Sequence, residues 1–552
     1  MSEVRNCIRI LIHGIPNDPA ARLPAMPVDH ARRGATTPGQ SVGSVSSARS
    51  TVYILTRFQQ SLMPDYSQLF SCAPESTLKW PVFKDIVTDS DSSLYSFLLE
   101  SQKEDNKSVY VEKVPDRVKD DSVEPCIRFL SSANRRNPIV DAEQLKRSAR
   151  KVTEEGPGWD ASSCLVLLAC TLSHLSDPFQ NRVISDGPDA CPPSDKHVGE
   201  AYLNEAKKRF GNAAYLADRH SMFLLASLYE KYAIRPLEAW ICIQQASSRL
   251  KLRLASRQAP LDSHDRHLEQ RLELQLEVPL EASGFENCRY PDPFPEPLFN
   301  ETTSLYSPSS IGDVEQEVLS DASARIEERG WFFYLAEISF RRIFDSIVLL
   351  LYQDSPRRWT TNITRLIRQC KESDEQMSLW FAHLPPPIRP TTPPTNDLSF
   401  FLRGRYLSSR EKIHRPLIYV ALHHPGLLDP ETSQEAEELL SLAQQSIDFC
   451  AALIPHYSVH FRQGGTWFVL CGSFEAALLI LGVIVGSHRS RAAQTPCLQP
   501  PDDWVCLVKL SLKTLRKWED ESKDVEMMRI MLEGILGRVC RKTTQCPNTT
   551  LY

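Results

Sequence analysis

Four stretches hold residue types that could do chemistry. GQSVG, Gly39 to Gly43, fits the G-x-S-x-G frame of a serine nucleophile, and LIHGIP, Leu11 to Pro16, offers a His-Gly of the kind that borders oxyanion holes. IHRPLIYVALHHP, Ile413 to Pro425, concentrates His414, His423 and His424. Within RIEERGWFFYLAEISFRRIFDSIVLLLY, residues 325–352, Glu337, Arg341 and Asp345 fall at i, i+4 and i+8.

Each stretch also has a plainer reading. A nucleophile elbow needs a buried strand before the serine and a helix after it, but the flanks RRGATTP and SVSSARS are polar and turn-forming. His414 and His423 share a helix face only approximately, so packing or helix-end roles are expected rather than metal ligation. Arg341 can pair with both acids of its stripe, which would keep them ionised. Acid pairs at Asp120–Asp121 and Asp502–Asp503 lack the further spaced acids that a magnesium–diphosphate site of an all-α isoprenoid synthase requires. No H-E-x-x-H, P-loop or dinucleotide glycine pattern occurs. No catalytic residue, cofactor or metal is therefore expected, and the chain reads as a non-enzyme.

Composition narrows the classes further. The chain has 552 residues, enough for three or four ordinary domains or one large helical one with tails. A net charge of −6 gives no global basic field for nucleic acid or an anionic membrane. The fifteen cysteines are scattered without a C-x-x-C, the usage of an intracellular protein with buried reduced thiols. MSEVRNCIRI at the start lacks a signal peptide's apolar core, so the sequons at Asn106, Asn300, Asn362 and Asn548 read as chance matches. Two basic clusters, Arg135–Arg136 and then Lys146, Arg147, Arg150 and Lys151, have the layout of a bipartite nuclear import signal. A solvated helix start would look much the same.

Nearly every ordered segment that could position these residues reads as helix. Residues 1–56, rich in Pro, Gly, Ser and Arg, read as a disordered arm, 100–125 as a charged linker and 288–312 as a loop. PPPIRPTTPP, Pro385 to Pro394, cannot be helical. SSCLVLLACTLSHL, Ser162 to Leu175, is apolar nearly all round, with Asp160 or Ser162 as its cap. Met222, Leu225 and Tyr229 share a face, and Pro236 suits the first turn of a helix carrying Ala239, Ile243, Ala246 and Leu250. The short break between these two helices makes them antiparallel neighbours. Further helices are expected at 359–384, 397–424, 431–454, 466–486, 502–520 and 523–540. Alternating strand patterns are absent, so the fold class is all-α.

The order of several segments resembles the regulatory, or middle homology, domain of fungal binuclear zinc-cluster transcription factors. The carriers are APESTLKWPVF (Ala73 to Phe83), SFLLES (Ser96 to Ser101), DASSCLVLLACTLSHL, the RPLEAW turn (Arg235 to Trp240) and ERGWFFYLAEISFRRI (Glu328 to Ile343). LWFAHLPPPI (Leu379 to Ile388), FLRGRYLSSREKIHRPLIYVALHHP, GTWFVLCGSFEAALLIL and LRKWEDESKDVEMMRIMLEGIL complete the set. The resemblance spans roughly residues 70–540. It implies a mixed segment of short helices at 57–155 and an all-α regulatory domain at 156–545. It further implies a nuclear regulator of a metabolic or secondary-metabolite gene cluster, whose helical region answers to a small-molecule effector or to partners such as the transcription machinery or another DNA-binding regulator. In that family DNA is read by an N-terminal module in which six cysteines hold two zinc ions. Here only Cys7 and Cys72 precede the first matching segment, so autonomous DNA binding is not expected. A general helical interaction scaffold is the alternative, though no repeat of fixed period is visible.

GTWFVLCGSFEAALLILGVIVG, Gly465 to Gly486, is the longest apolar run. As a helix its apolar part rises about 28 Å, enough to cross a hydrocarbon layer. Glu475 near its centre argues instead for a core helix in a protein with no membrane role, and such a glutamate needs a partner.

Overall fold

The structure, a computed structural model, describes residues 74–87, 122–137, 140–176, 179, 196–210, 219–256, 313–352, 356–427, 434–459, 462–493 and 498–543. The arm at 1–56, most of the linker at 100–125, the loop at 288–312, GQSVG, LIHGIP and SFLLES lie outside those residues. So do Asp120–Asp121 and the sequons at Asn106, Asn300 and Asn548.

Among the described residues the architecture is all-α, with no strand element. The helices are α1 (Pro74–Leu78), α2 (Val123–Ser131), α3 (Ala133–Arg136), α4 (Ala142–Glu155), α5 (Ala161–Leu175), α6 (Lys196–Phe210), α7 (Arg219–Tyr232) and α8 (Pro236–Ser256). They continue as α9 (Asp313–Tyr352), α10 (Arg357–Thr361), α11 (Ile363–Ala382), α12 (Asp397–His423), α13 (Gln434–Tyr457), α14 (Thr466–Ala493), α15 (Trp504–Trp518) and α16 (Lys523–Thr543). Local chemistry sets their starts. Asp160 caps α5 by accepting from the Ser163 N–H at 2.8 Å. The expected helix over 359–384 is broken at Asn362, whose side chain caps α11 by accepting from the Arg365 N–H. The amide of that sequon thus has a structural task. Asn396 and Ser399 form a reciprocal capping pair at the start of α12.

Two apolar cores result. Helices α2 to α8 enclose one, built on Leu167, Leu168, Leu172, Met222, Leu225 and Tyr229. Helices α9 to α16, with the 74–86 segment, enclose the larger one. At its centre α14 touches α13, α15, α16, α12 and α1. Its stretch Thr466–His488 is long and apolar enough to cross a membrane by length and composition, yet 78 % of its most apolar window is buried in the protein. Close approach is bought by glycine at two points. A Cβ at Gly472 would stand 2.7 Å from the Tyr457 ring, and one at Gly482 would stand 3.2 Å from Phe83.

Glu475 has its partner. Arg415 of α12, fully buried, forks onto Glu411 one turn back at 2.7 and 2.8 Å and reaches Glu475 at 2.5 Å. Lys412 adds contacts of 3.2 Å to Glu475 and 3.4 Å to Glu411. Two acids thus meet two bases, and the group is electrically neutral. Burial alone would raise the Glu411 carboxyl, but Arg415 and Lys412 hold it below the ordinary carboxylate range. Pro416, inside α12, frees the carbonyl of Lys412 from its helical partner, and the Tyr352 hydroxyl of α9 donates to that carbonyl at 2.6 Å.

Arg415→Met should lower stability by roughly 3–5 kcal/mol, because it strands two buried acids with one lysine. The quadruple replacement Glu411→Leu, Lys412→Met, Arg415→Met, Glu475→Leu, which removes all four charges, should stay within about 2 kcal/mol of the parent. Urea midpoints and slopes of the three proteins check this, and equal losses in both variants would contradict it.

Candidate functional site

The two cores meet along a polar seam, on which a cleft of about 500 Å³ opens. One wall is the turn between α7 and α8. There the Arg235 N–H donates to the Glu230 carbonyl at 2.8 Å and the Ile234 N–H to Lys231 at 3.2 Å. This is the Schellman pattern of a helix C-terminus, whose left-handed residue is usually glycine. Here it is Ile234, at φ +58°. A β-branched residue in that conformation is a true outlier, costing about 1–2 kcal/mol. The strain has a use: Ile234 is buried in the larger core, whereas its neighbours Tyr232 and Ala233 belong to the smaller one. The side chain pins one core to the other.

The opposite wall is the turn between α15 and α16, Glu519 to Asp524. Arg462, in the loop before α14, bolts the two walls together. It donates to the Tyr232 carbonyl at 3.0 Å and to Glu521 at 2.5 Å, and its guanidinium lies over the Trp518 ring. Burial pushes Glu521 up, but Arg462 and Lys196 outweigh it and hold the carboxyl below its usual range. Arg235 pairs with Glu200 and Glu230, and Arg529 pairs with Glu519.

Asp524 is different. Only 6 % exposed, it lines the cleft with no ion pair. Burial first, then Glu238, pushes its carboxyl up to about 6, against a lowering by the Trp467 indole N–H. That indole nitrogen is itself buried without a hydrogen bond of normal geometry. Further buried polar atoms at the seam, Tyr229 Oη, Arg462 Nε and both side-chain polar atoms of Gln463, also lack partners. The six carboxylates among the cleft-lining residues outnumber the three cations, Arg235, Lys523 and Arg529. Such a cleft suits a cation and repels phosphates and other anions.

The residues singled out from sequence lie elsewhere. His414 is fully buried, 3.8 Å from Asp374, and burial pulls its imidazole down to about 4. Asp374 is held bidentately by Arg410 at 2.5 and 2.6 Å. A buried neutral ring stacked on Phe449 is a packing group. His423 closes the end of α12: Nδ1 lies 2.8 Å from the Tyr419 carbonyl, and Nε2 accepts from the Val82 N–H at 3.1 Å. It thereby docks the 74–86 segment, with Trp80 edge-on to Tyr419 and His423. His424 follows the last turn of α12. Among the described residues no three His, Cys, Asp or Glu side chains gather as a metal site.

The acid–base stripe on α9 differs from expectation. Arg341 reaches only Asp345, at 3.8 Å, while Glu337 is paired across to Arg405 of α12 at 3.4 Å. Burial raises the Asp345 carboxyl, against a lowering by Arg341 and Arg405. Among the described residues Cys126, Cys164, Cys170, Cys242, Cys370, Cys450, Cys471 and Cys506 are free thiols, and Cys540, which is disulfide-bonded, is the exception to the expected reduced state. Burial pushes the Cys164 thiol up to about 12 and Cys242 up to about 11, which removes both as nucleophiles.

The two basic clusters are split in space. Arg136 is buried against Tyr232 Oη at 2.5 Å and over Phe401, and Arg135 pairs with Asp397 at 2.5 Å. Arg147, Arg150 and Lys151 are exposed on α4, and Lys146 is half-buried. The folded chain does not present both clusters as one extended peptide.

Ile234→Gly should destabilise less than Ile234→Ala, reversing the usual order. Both lose the same packing, but only glycine relieves the left-handed strain. Thermal midpoints of the two variants decide it. Asp524→Asn should stabilise the protein at pH 7 by on the order of 2 kcal/mol, because the folded state raises this acid above its unfolded value. The folded carboxyl binds its proton more tightly, so the parent gains on the variant as pH falls through 6 towards 4. The advantage must shrink over that window, and the difference between the two proteins isolates Asp524 from the buried His414. A constant difference from pH 7 to pH 4 would contradict the assignment.

Compared with protein-family models, with curated proteins and with solved structures, the chain matches none.

Proposed function

We propose that this chain is a non-catalytic transcription regulator of the fungal zinc-cluster factor type, controlling a metabolic or secondary-metabolite gene cluster from the nucleus. Its helical domain is the effector- or partner-responsive part. The observation that carries the reading is the place of the cleft. Its walls are RPLEAW and WEDESKD, two of the segments on which the resemblance rests, and each wall belongs to a different core. A ligand seated there touches both halves and shifts any equilibrium between their arrangements by its differential affinity. The free thiols at Cys164 and Cys242 and the imidazole of His414 are pushed away from useful ranges, which favours binding over chemistry. DNA contact would then come through another DNA-binding regulator or a zinc-cluster module.

A fluorescent fusion should accumulate in the nucleus, and deletion should change transcripts of a few clustered genes. Purely cytosolic protein together with an unchanged transcriptome would sink the proposal. Replacing Lys146, Arg147, Arg150 and Lys151 with alanine should abolish nuclear accumulation at an unchanged thermal midpoint. Arg136→Ala should lower that midpoint instead, because its guanidinium is tied into the seam.

A further inference from the structure

We infer that the cleft between the α7–α8 and α15–α16 turns is a binding site for a small aliphatic polyamine. The inference deepens the effector-responsive reading above by naming the class of ligand. Three observations carry it. First, the cleft has the volume of a small-molecule site. Second, Asp524 is a carboxyl taken almost wholly out of water, with Glu238 nearby, the neutral Trp467 indole beside it and no ion pair. A buried acid in that state is completed by a positive group from outside. Third, the lining is mixed in a way that selects among cations. Pro236 and Leu237 give the first wall an apolar floor, while Asp520, Asp524 and Glu526 are spaced along the second. Methylene segments suit the floor and ammonium groups suit the acids.

A bare divalent metal fits less well. It needs several oxygens converging at about 2.0–2.6 Å, and no three ligating side chains gather among the described residues. Of the three cations lining the cleft, Arg235 is engaged with Glu200 and Glu230, and Arg529 with Glu519 and Glu533. A bound polyamine would bridge both walls and hold the two cores in one arrangement. Nothing covalent changes on binding.

The test is calorimetric titration of the full chain with spermidine at near-neutral pH, against sodium chloride of matched ionic strength. One spermidine should bind per chain and raise the thermal midpoint. Asp524→Asn should weaken binding at least about tenfold, the loss of a charge-assisted hydrogen bond. Glu372→Gln, an exposed acid on α11, should bind as the parent does. Because Asp524→Asn removes a buried charge rather than a packing group, its folding is not at risk. Heat no greater than that of the salt control would overturn the inference. So would an equal loss in Glu372→Gln, stoichiometric displacement by magnesium, or tighter binding of tetralysine, which would point to a basic partner segment. Failure of the two readings is distinguishable. Spermidine binding without any transcript response sinks the regulatory function alone, and a transcript response without spermidine binding sinks only the ligand.

Discussion

The larger core is organised around a charge that cannot reach water. Glu475 sits inside the most apolar helix of the chain, and Arg415 must come in from α12 to meet it. Everything near that meeting is arranged to make it tolerable. Glu411 takes the rest of the guanidinium, Lys412 balances the second acid, and Tyr352 satisfies the carbonyl that Pro416 sets free. Each of the four charges is costly to bury by itself, and only the closed group is neutral. Helices α9, α12 and α14 are held in mutual position by these polar contacts as much as by the apolar packing that surrounds them.

A different logic governs the seam between the cores. There the guanidinium recurs: Arg136 reaches Tyr232 and the Asp397 carboxylate, Arg235 spans Glu200 and Glu230, and Arg462 spans Tyr232 and Glu521. Arginine suits this task because one planar group can serve several acceptors at fixed angles and still lie flat on an aromatic ring. The seam is polar, wired and incompletely satisfied, whereas the cores are mostly apolar. Movement between the halves costs least along such a boundary, and the cleft opens on it.

Much of the fold was legible in the residues. The long helices follow from periodicity and breaks, and α14 could be recognised as needing a partner for Glu475. The identity of that partner was not read, although Glu411 and Arg415 at i, i+4 in REKIHRP were a usable signal. The pairing of Glu337 with Arg405 is a contact between helices, which a stripe on one helix cannot announce. The left-handed Ile234 was hidden because tertiary burial overrides the glycine preference on which sequence reading relies. The cleft was hidden for a related reason. RPLEAW and WEDESKD are nearly 300 positions apart, and neither is unusual until the fold lays one against the other.

Helix α14 presents apolar side chains in every direction, so burial gives it no preferred way to turn about its own axis. A slide by one helical turn, about 5.4 Å, would exchange one set of Leu, Ile and Val contacts for another. Beside the close contacts that Gly472 and Gly482 allow, Glu475 breaks that degeneracy. In any other rotation or offset its carboxylate would face hydrocarbon, with Arg415 left unmatched across the interface. The acid in the middle of this apolar helix thereby gives it a single register within the bundle.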